Sequence, residues 1–122
     1  MNKAAAMHAF LSSFGIPAYA DTSVPDAAQM PYLTYTLAVG AFGDGELNVT
    51  VNLWYRTESE AAPNAKVEEI SERISFQGSA IACDGGMVWI KRGAPFAQAV
   101  ADEDNSIKRR MLNLSVEYLT EN

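Results

Sequence analysis

The feature that most constrains this chain is the stretch from Pro31 to Arg56. Two runs rich in β-branched, aromatic and aliphatic residues occupy positions 31–39 and 46–56. Such residues are typical of strands. Between the runs lie residues that favour turns, namely Gly40, Gly43, Asp44 and Gly45. The stretch therefore predicts a β-hairpin, and since it has no His, no Cys and no closely spaced acid pair, an architectural role is the first hypothesis to test.

The two predicted strands have one apolar and one polar face. The apolar positions are Leu33, Tyr35, Leu37 and Val39 in the first strand and Leu47, Val49, Val51, Leu53 and Tyr55 in the second. The alternate positions are rich in Thr and Asn, which predicts a sheet covered by helices on one face only. Trp54 is the exception on the polar face, where its indole either packs at the strand end or contacts a neighbouring subunit.

Two segments have helical periodicity. In residues 3–14 the apolar positions are Met7, Phe10, Leu11 and Phe14, and in residues 61–74 they are Pro63, Val67, Ile70 and Ile74. Gly15 and Pro17 predict the end of the first helix. The glutamates on the other face of the second helix lack a nearby His or Asp, so we interpret them as a solvated surface. Polar residues interrupt the apolar middle of the first twenty residues, so we expect no signal peptide there.

The second half of the chain predicts three further strands. Residues 79–83 and 87–92 flank Asp84-Gly85-Gly86, a strong hairpin signal. Residues 91–105 form a predicted connection with a Gly-Ala-Pro turn and an acidic cluster, and residues 107–119 form a long last strand. The predicted order is α-β-β-α-β-β-β. We expect residues 1–122 to form a single α+β domain with an antiparallel or mixed sheet of about five strands and two helices on one face.

Charge and cysteine content exclude several classes of function. The 122 residues include 9 basic and 15 acidic side chains, a net charge of −6, which disfavours tight binding to nucleic acid or anionic lipid. The single Cys83 cannot form an internal disulfide, and no Cys/His set predicts a zinc site. No run approaches the ~20 apolar residues needed to span a membrane. We expect no cofactor, no metal and no enzymatic activity, and we interpret Cys83 as a buried small hydrophobe.

Three segments resemble a known protein family. They are Phe14-Gly15-Ile16-Pro17-Ala18-Tyr19 at the end of the first helix, Pro31-Tyr32-Leu33-Thr34-Tyr35 at the start of the first long strand, and Leu53-Trp54-Tyr55-Arg56-Thr57-Glu58-Ser59 before the second helix. Together with the long last strand, they resemble bacteriophage tail terminator or tail-completion proteins over nearly the full length. The motifs are short and structural.

The resemblance implies a non-catalytic homohexameric ring in the virion, assembled in the cytoplasm of the bacterial host. Its partners would be further copies of itself, the tail tube protein and a neck or head-closure protein, with DNA only as cargo in the lumen and no membrane. Candidate interface residues are Trp54, Arg56, Lys91, Arg92, Phe96, Lys108, Arg109 and Arg110. We expect the polar face of the first hairpin to supply subunit contacts, with Trp54 near one of them.

Two other interpretations stay open. The chain could be a head-closure, connector or tube subunit of the same phage; a tube subunit would polymerise openly, whereas a terminator would stop at one ring. From a different class, it could be a small cytosolic enzyme or ligand-binding domain. That interpretation would gain if Cys83 or His8 lay in a cleft.

Overall fold

A computed structural model describes the whole chain, Met1–Asn122. Two helices and six strands follow in the order α1 (Lys3–Leu11), β1 (Ala18–Ala20), β2 (Tyr32–Thr36), β3 (Glu46–Arg56), α2 (Ala61–Ile74), β4 (Ser79–Cys83), β5 (Gly86–Val100) and β6 (Ile107–Thr120). The strands form one mixed sheet in the order β1-β2-β3-β6-β5-β4, in which only the β1–β2 pair is parallel. The α+β class is confirmed, with six strands rather than about five.

Both helices contribute to a single apolar core on one face of this sheet, which we call the inner face. Met7, Phe10 and Leu11 of α1 and Ile70 and Ile74 of α2 belong to one cluster of 20 buried residues. The sheet supplies alternate residues of its central strands, Val49, Val51, Leu53 and Tyr55 of β3 and Leu112, Leu114, Val116 and Tyr118 of β6. The opposite face, here the outer face, has no helix on it. Neither helix is long and apolar enough to cross a bilayer.

Local interactions determine where α1 begins and ends. The Asn2 side chain accepts a hydrogen bond from the Ala5 amide at 2.7 Å, satisfying a donor that has no partner inside the helix. A 3-10 turn over Ser12–Phe14 continues the helix to Gly15, whose φ of 82° is left-handed. Lys66 of α2 donates from Nζ to the Phe14 carbonyl at 2.6 Å. The end of α1 is therefore attached to α2.

Two parts of the sheet differ from the expectation. The predicted order has no strand between the first helix and the hairpin, but β1 lies there, within residues 16–30, and it pairs with β2. β5 continues to Val100 through the segment predicted as a loop. The register shifts between Arg92 and Ala97, so the Gly-Ala-Pro motif is a bulge and not a turn between elements. A Cβ at Gly93 would lie only 2.8 Å from the Asn113 carbonyl oxygen, which explains the glycine.

The first strand of the predicted hairpin is shorter than expected. Pairing between β2 and β3 ends at Thr36 opposite Thr50. Beyond it the chain crosses the end of the sheet, where the Ala38 carbonyl accepts a hydrogen bond from the Tyr118 hydroxyl at 2.6 Å. Leu37 and Val39 are 36% and 50% exposed, so their assignment to the continuously apolar face is wrong.

Candidate functional site

A row of aromatic and cationic side chains crosses the outer face near one end of the sheet. We call Tyr19, Tyr32, Trp54 and Arg109 the aromatic row. The rings of Tyr19 and Tyr32 meet edge to face with centroids 5.7 Å apart. Tyr32 lies opposite Trp54 on β3, and Trp54 lies opposite Arg109 on β6. The Arg109 guanidinium carbon is 4.8 Å from the centroid of the Trp54 ring.

Hydrogen bonds hold the row in place. Trp54 donates from Nε1 to the Thr34 hydroxyl at 3.0 Å, and Arg109 donates from Nε to the Asn52 amide oxygen at 2.9 Å. All four members of the row are half-buried. Tryptophan, tyrosine and arginine are the residues that most often dominate protein interfaces, and side chains already held in place lose less entropy on binding. This part of the outer face therefore has the residue types of a protein contact surface, and hydrogen bonds already hold its side chains in fixed positions.

Arg110 must be removed from the candidate contacts. It follows Arg109 on β6 but faces inward, and only 6% of it is exposed. Its guanidinium lies 2.5 Å from a Glu60 carboxylate oxygen and donates to the Asn64 side chain at 2.9 Å. A guanidinium enclosed and paired in this way joins α2 to the sheet. It offers little to a partner.

Arg56 and Lys108 lie near the acidic β5–β6 turn. Arg56 is 3.5 Å from Asp104, and Lys108 donates from Nζ to the Asn105 carbonyl at 2.5 Å. Hydrogen bonds from the Ser106 amide and hydroxyl, and secondarily the charge of Arg56, hold the pKa of Asp104 below its usual value. The basic side chains and the acidic cluster thus meet within one chain.

The remaining candidates are spread over β5. Lys91 pairs with Glu46 on the outer face, lowering the pKa of that carboxyl, and its Nζ lies 4.7 Å from the Trp89 ring centroid. Arg92 is exposed and donates to the Ser71 hydroxyl at 2.8 Å. Phe96 is half-buried in the bulge and packs against the core. The structure does not bring the eight candidates together into one site.

A second surface was missed by the sequence reasoning. Met1, Val39, Phe42 and Met87 are 66%, 50%, 77% and 42% exposed, and we call this group the apolar end. The Phe42 amide donates to the Thr120 carbonyl, and the Asp84 amide donates to the Met1 carbonyl. The loop after β2, the start of the chain and the β4–β5 turn therefore meet at the end of β6. The aromatic row and the acidic turn lie toward the other end.

The side chains that could act in catalysis, Ser12, His8 and Cys83, do not line a cleft. Ser12 Oγ is 3.3 Å from His8 Nε2, and His8 Nδ1 is 2.9 Å from the Tyr35 hydroxyl. None of the five surface clefts is lined by these residues or by Cys83, which packs against the core. No three His, Cys, Asp or Glu side chains lie close enough together to hold a metal ion. The contacts of His8 join α1 to β2.

No protein-family model matches this sequence, and no curated protein matches it. The aromatic row, the apolar end and the edges of the sheet are therefore the features from which a function can be inferred.

Proposed function

We propose that the protein is a tail terminator of a bacteriophage or a prophage-derived particle. In this role a homohexameric ring caps the head-proximal end of the tail tube, ends its polymerisation and joins the tail to the neck. Its partners are other copies of the chain, the tail tube protein and a neck or head-closure protein, while DNA passes through the lumen. The protein is part of the virion after assembly in the host cytoplasm.

The observation that carries the proposal is the difference between the two ends of the sheet. Four large apolar side chains are exposed around the end of β6, beside the ion pair of the Met1 ammonium with Asp84, whereas Asp102, Glu103 and Asp104 form the turn at the other end. Exposed apolar groups that lie together usually mark a surface that another protein covers. A ring between a tube and a neck needs two unlike axial surfaces, and a subunit with two unlike ends can supply them.

The positions of the family-like segments also support the proposal. Residues 14–19 join α1 to β1, residues 31–35 enter β2, and residues 53–59 lead from β3 towards α2. The first and third segments thus lie where one element passes into the next, and the second covers most of β2. The long last strand is β6, at the centre of the sheet.

Unlike ends also favour one alternative, a tube subunit. Subunits whose two ends complement each other stack without limit, whereas a terminator stops after one ring. Two measurements distinguish a terminator from a tube subunit. Light scattering gives the mass of the protein in solution, and electron microscopy shows isolated tail tubes with and without the protein. We expect a single ring on one end of each tube. Open polymers would indicate a tube subunit, and a monomer that never forms or caps a ring would overturn both.

A matched pair of variants tests the apolar end. Phe42→Asp places a charge in it, and Phe76→Asp places the same charge on another exposed phenylalanine, 91% exposed after α2. Because both side chains are largely in solvent, we expect both monomers to keep the wild-type melting temperature. Only Phe42→Asp should lose tube capping in the electron micrographs. Equal capping by the two variants would remove the apolar end from the proposal.

A further inference from the structure

One edge of the sheet is only half covered. β4 pairs with β5 from Gly86 to Ile90, and beyond Ile90 no strand lies on that side of β5. The segment Ala97–Val100 therefore has a partner, β6, on one side only. We call it the open edge. An unpaired edge of this kind leaves backbone N–H and C=O groups ready to pair with another strand.

The other edge of the sheet lies at the same level. Residues that pair across neighbouring strands form rows that run across the sheet from β1 to β5. One inward-facing row consists of Ala18, Leu33, Leu53, Arg110 and Ala99. The next inward-facing row runs through Ala20, Tyr35, Val51, Leu112 and Ala97. β1 and the open edge are thus at equal height on opposite sides of one molecule.

We propose that β1 of one copy pairs with the open edge of the next copy, so that the sheets join into a closed ring. The inference rests on the proposed ring and identifies the surface that closes it. β1 and β5 run in opposite directions within the sheet, so a neighbour in the same orientation adds an antiparallel strand. Edges at equal height let copies follow one another by rotation without a rise, which is the condition for closure.

The side chains at both edges fit this contact. Small residues occupy the inward positions, Ala18 and Ala20 on β1 and Ala97 and Ala99 on the open edge, so the backbones can approach. Beside the open edge, a cleft of about 410 Å³ lies between α2 and β5 and gives room on the inner side. On the outer side, Tyr19 brings the aromatic row to the edge of β1.

The two edges match in height, in strand direction and in their small inward side chains, and these matches point to one occupant. A second copy of this chain is therefore the occupant that we infer for the open edge.

Cysteine pairs test the contact directly. In a Cys83→Ala background we would combine Ala18→Cys with Ala99→Cys, and in a second protein Ala20→Cys with Ala97→Cys. Four strand spacings, about 19 Å, separate the two positions within one chain, so they cannot form a disulfide internally. We expect mild oxidation to give covalent multimers up to the size of the ring on non-reducing gels. The matched control, Ala18→Cys with Ala80→Cys on β4, should stay monomeric.

The outcomes separate this inference from the proposed function. Rings by light scattering without cross-links in either pair would overturn the open-edge contact and leave the terminator proposal standing. Cross-linked rings that never cap a tail tube would support the contact and overturn the terminator. Absence of both rings and cross-links would overturn both. Multimers that form equally in the Ala80 control would show random collision and overturn the contact.

Discussion

Consecutive residues on one strand of this protein have different roles because they lie on opposite faces of the sheet. Trp54 belongs to the aromatic row, while Tyr55 is 8% exposed in the core. Arg109 lies against an indole on the outer face, while Arg110 is buried against α2. Residue type and position in the chain therefore say less about a role here than the face that a residue occupies.

The largest difference in the free energy of unfolding should appear between Tyr55→Ala and Trp54→Ala. Removing the Tyr55 ring leaves a cavity under α2, and we expect it to lower the free energy of unfolding by about 3–4 kcal/mol. Trp54→Ala should cost the monomer less, about 1–2 kcal/mol for the lost cation–π contact and hydrogen bond, but it removes the support of Tyr32 and Tyr19 beside the β1 edge. We expect a folded monomer that assembles poorly. Urea unfolding and light scattering measure the two effects, and normal assembly by both variants would rule out the row as a contact.

The second largest difference in stability should appear between Arg110→Ala and Arg109→Ala. Arg110→Ala leaves a cavity and an unpaired Glu60, which is 58% exposed and so partly solvated. We expect a loss of ~2–3 kcal/mol, below the cost of breaking a fully buried pair. Arg109→Ala should cost about 1 kcal/mol or less. Arg110→Met is the control, because an apolar side chain of similar length should restore part of the stability. Equal losses for Arg109→Ala and Arg110→Ala in urea would contradict the assignment of faces.

A smaller effect should appear at high pH. Burial, and secondarily the charge of Cys83, raises the pKa of Tyr118 to about 12 from an ordinary value of 10.0. Because the folded state holds this proton more tightly than the unfolded state, stability should be constant below pH ~10 and fall from there towards pH ~12. Burial also raises the pKa of Tyr35 and Tyr55, so Tyr118→Phe should reduce the fall without abolishing it. Unfolding free energies from pH 8 to 11 measure the slope, and an unchanged slope would refute the role of Tyr118.

The smallest effect on stability should come from replacing Glu117, the outward-facing residue next to Tyr118. Glu117 lies directly opposite Glu46, an unfavourable pair of like charges that the bond between Lys91 and Glu46 partly offsets. Glu117→Gln should raise stability by about 0.2–0.5 kcal/mol at low salt, and the gain should shrink as salt screens the charges. Unfolding at two salt concentrations tests this, with Glu103→Gln in the exposed turn as the control. A gain independent of salt would contradict an electrostatic cause.

Elements with a regular local pattern could be predicted from the sequence. α2 has the predicted bounds, strict alternation identified β3 and its apolar face, and the last strand was predicted as β6 to within one residue. The Asp84-Gly85 turn identified the β4–β5 hairpin. These patterns are local, so no knowledge of distant partners was required.

Elements that depend on distant partners could not be predicted in this way. β1 has three residues in a segment with two prolines and exists only because β2 lies beside it. The Gly-Ala-Pro motif resembles a turn, but pairing with β6 carries the strand through it. Leu37 and Val39 keep the apolar alternation after the chain has left its pairing with β3, so these two exposed residues were assigned to the core-facing side. Grouping Lys108, Arg109 and Arg110 by charge ignored the alternation that separates them.

The position of β6 has a consequence for how the chain folds. β6 follows all five other strands in the sequence, yet it lies between β3 and β5 and is the only link between the two halves of the sheet. During synthesis the strands of both halves are made before β6, so the two halves cannot pair until β6 has been added. Their union requires contacts between distant parts of the chain, which slows folding. A polypeptide still lacking β6 also lacks Arg109 and the strand that holds Ala97–Val100 in place. In the proposed ring, an unfinished chain would therefore have no ordered open edge to offer the next copy.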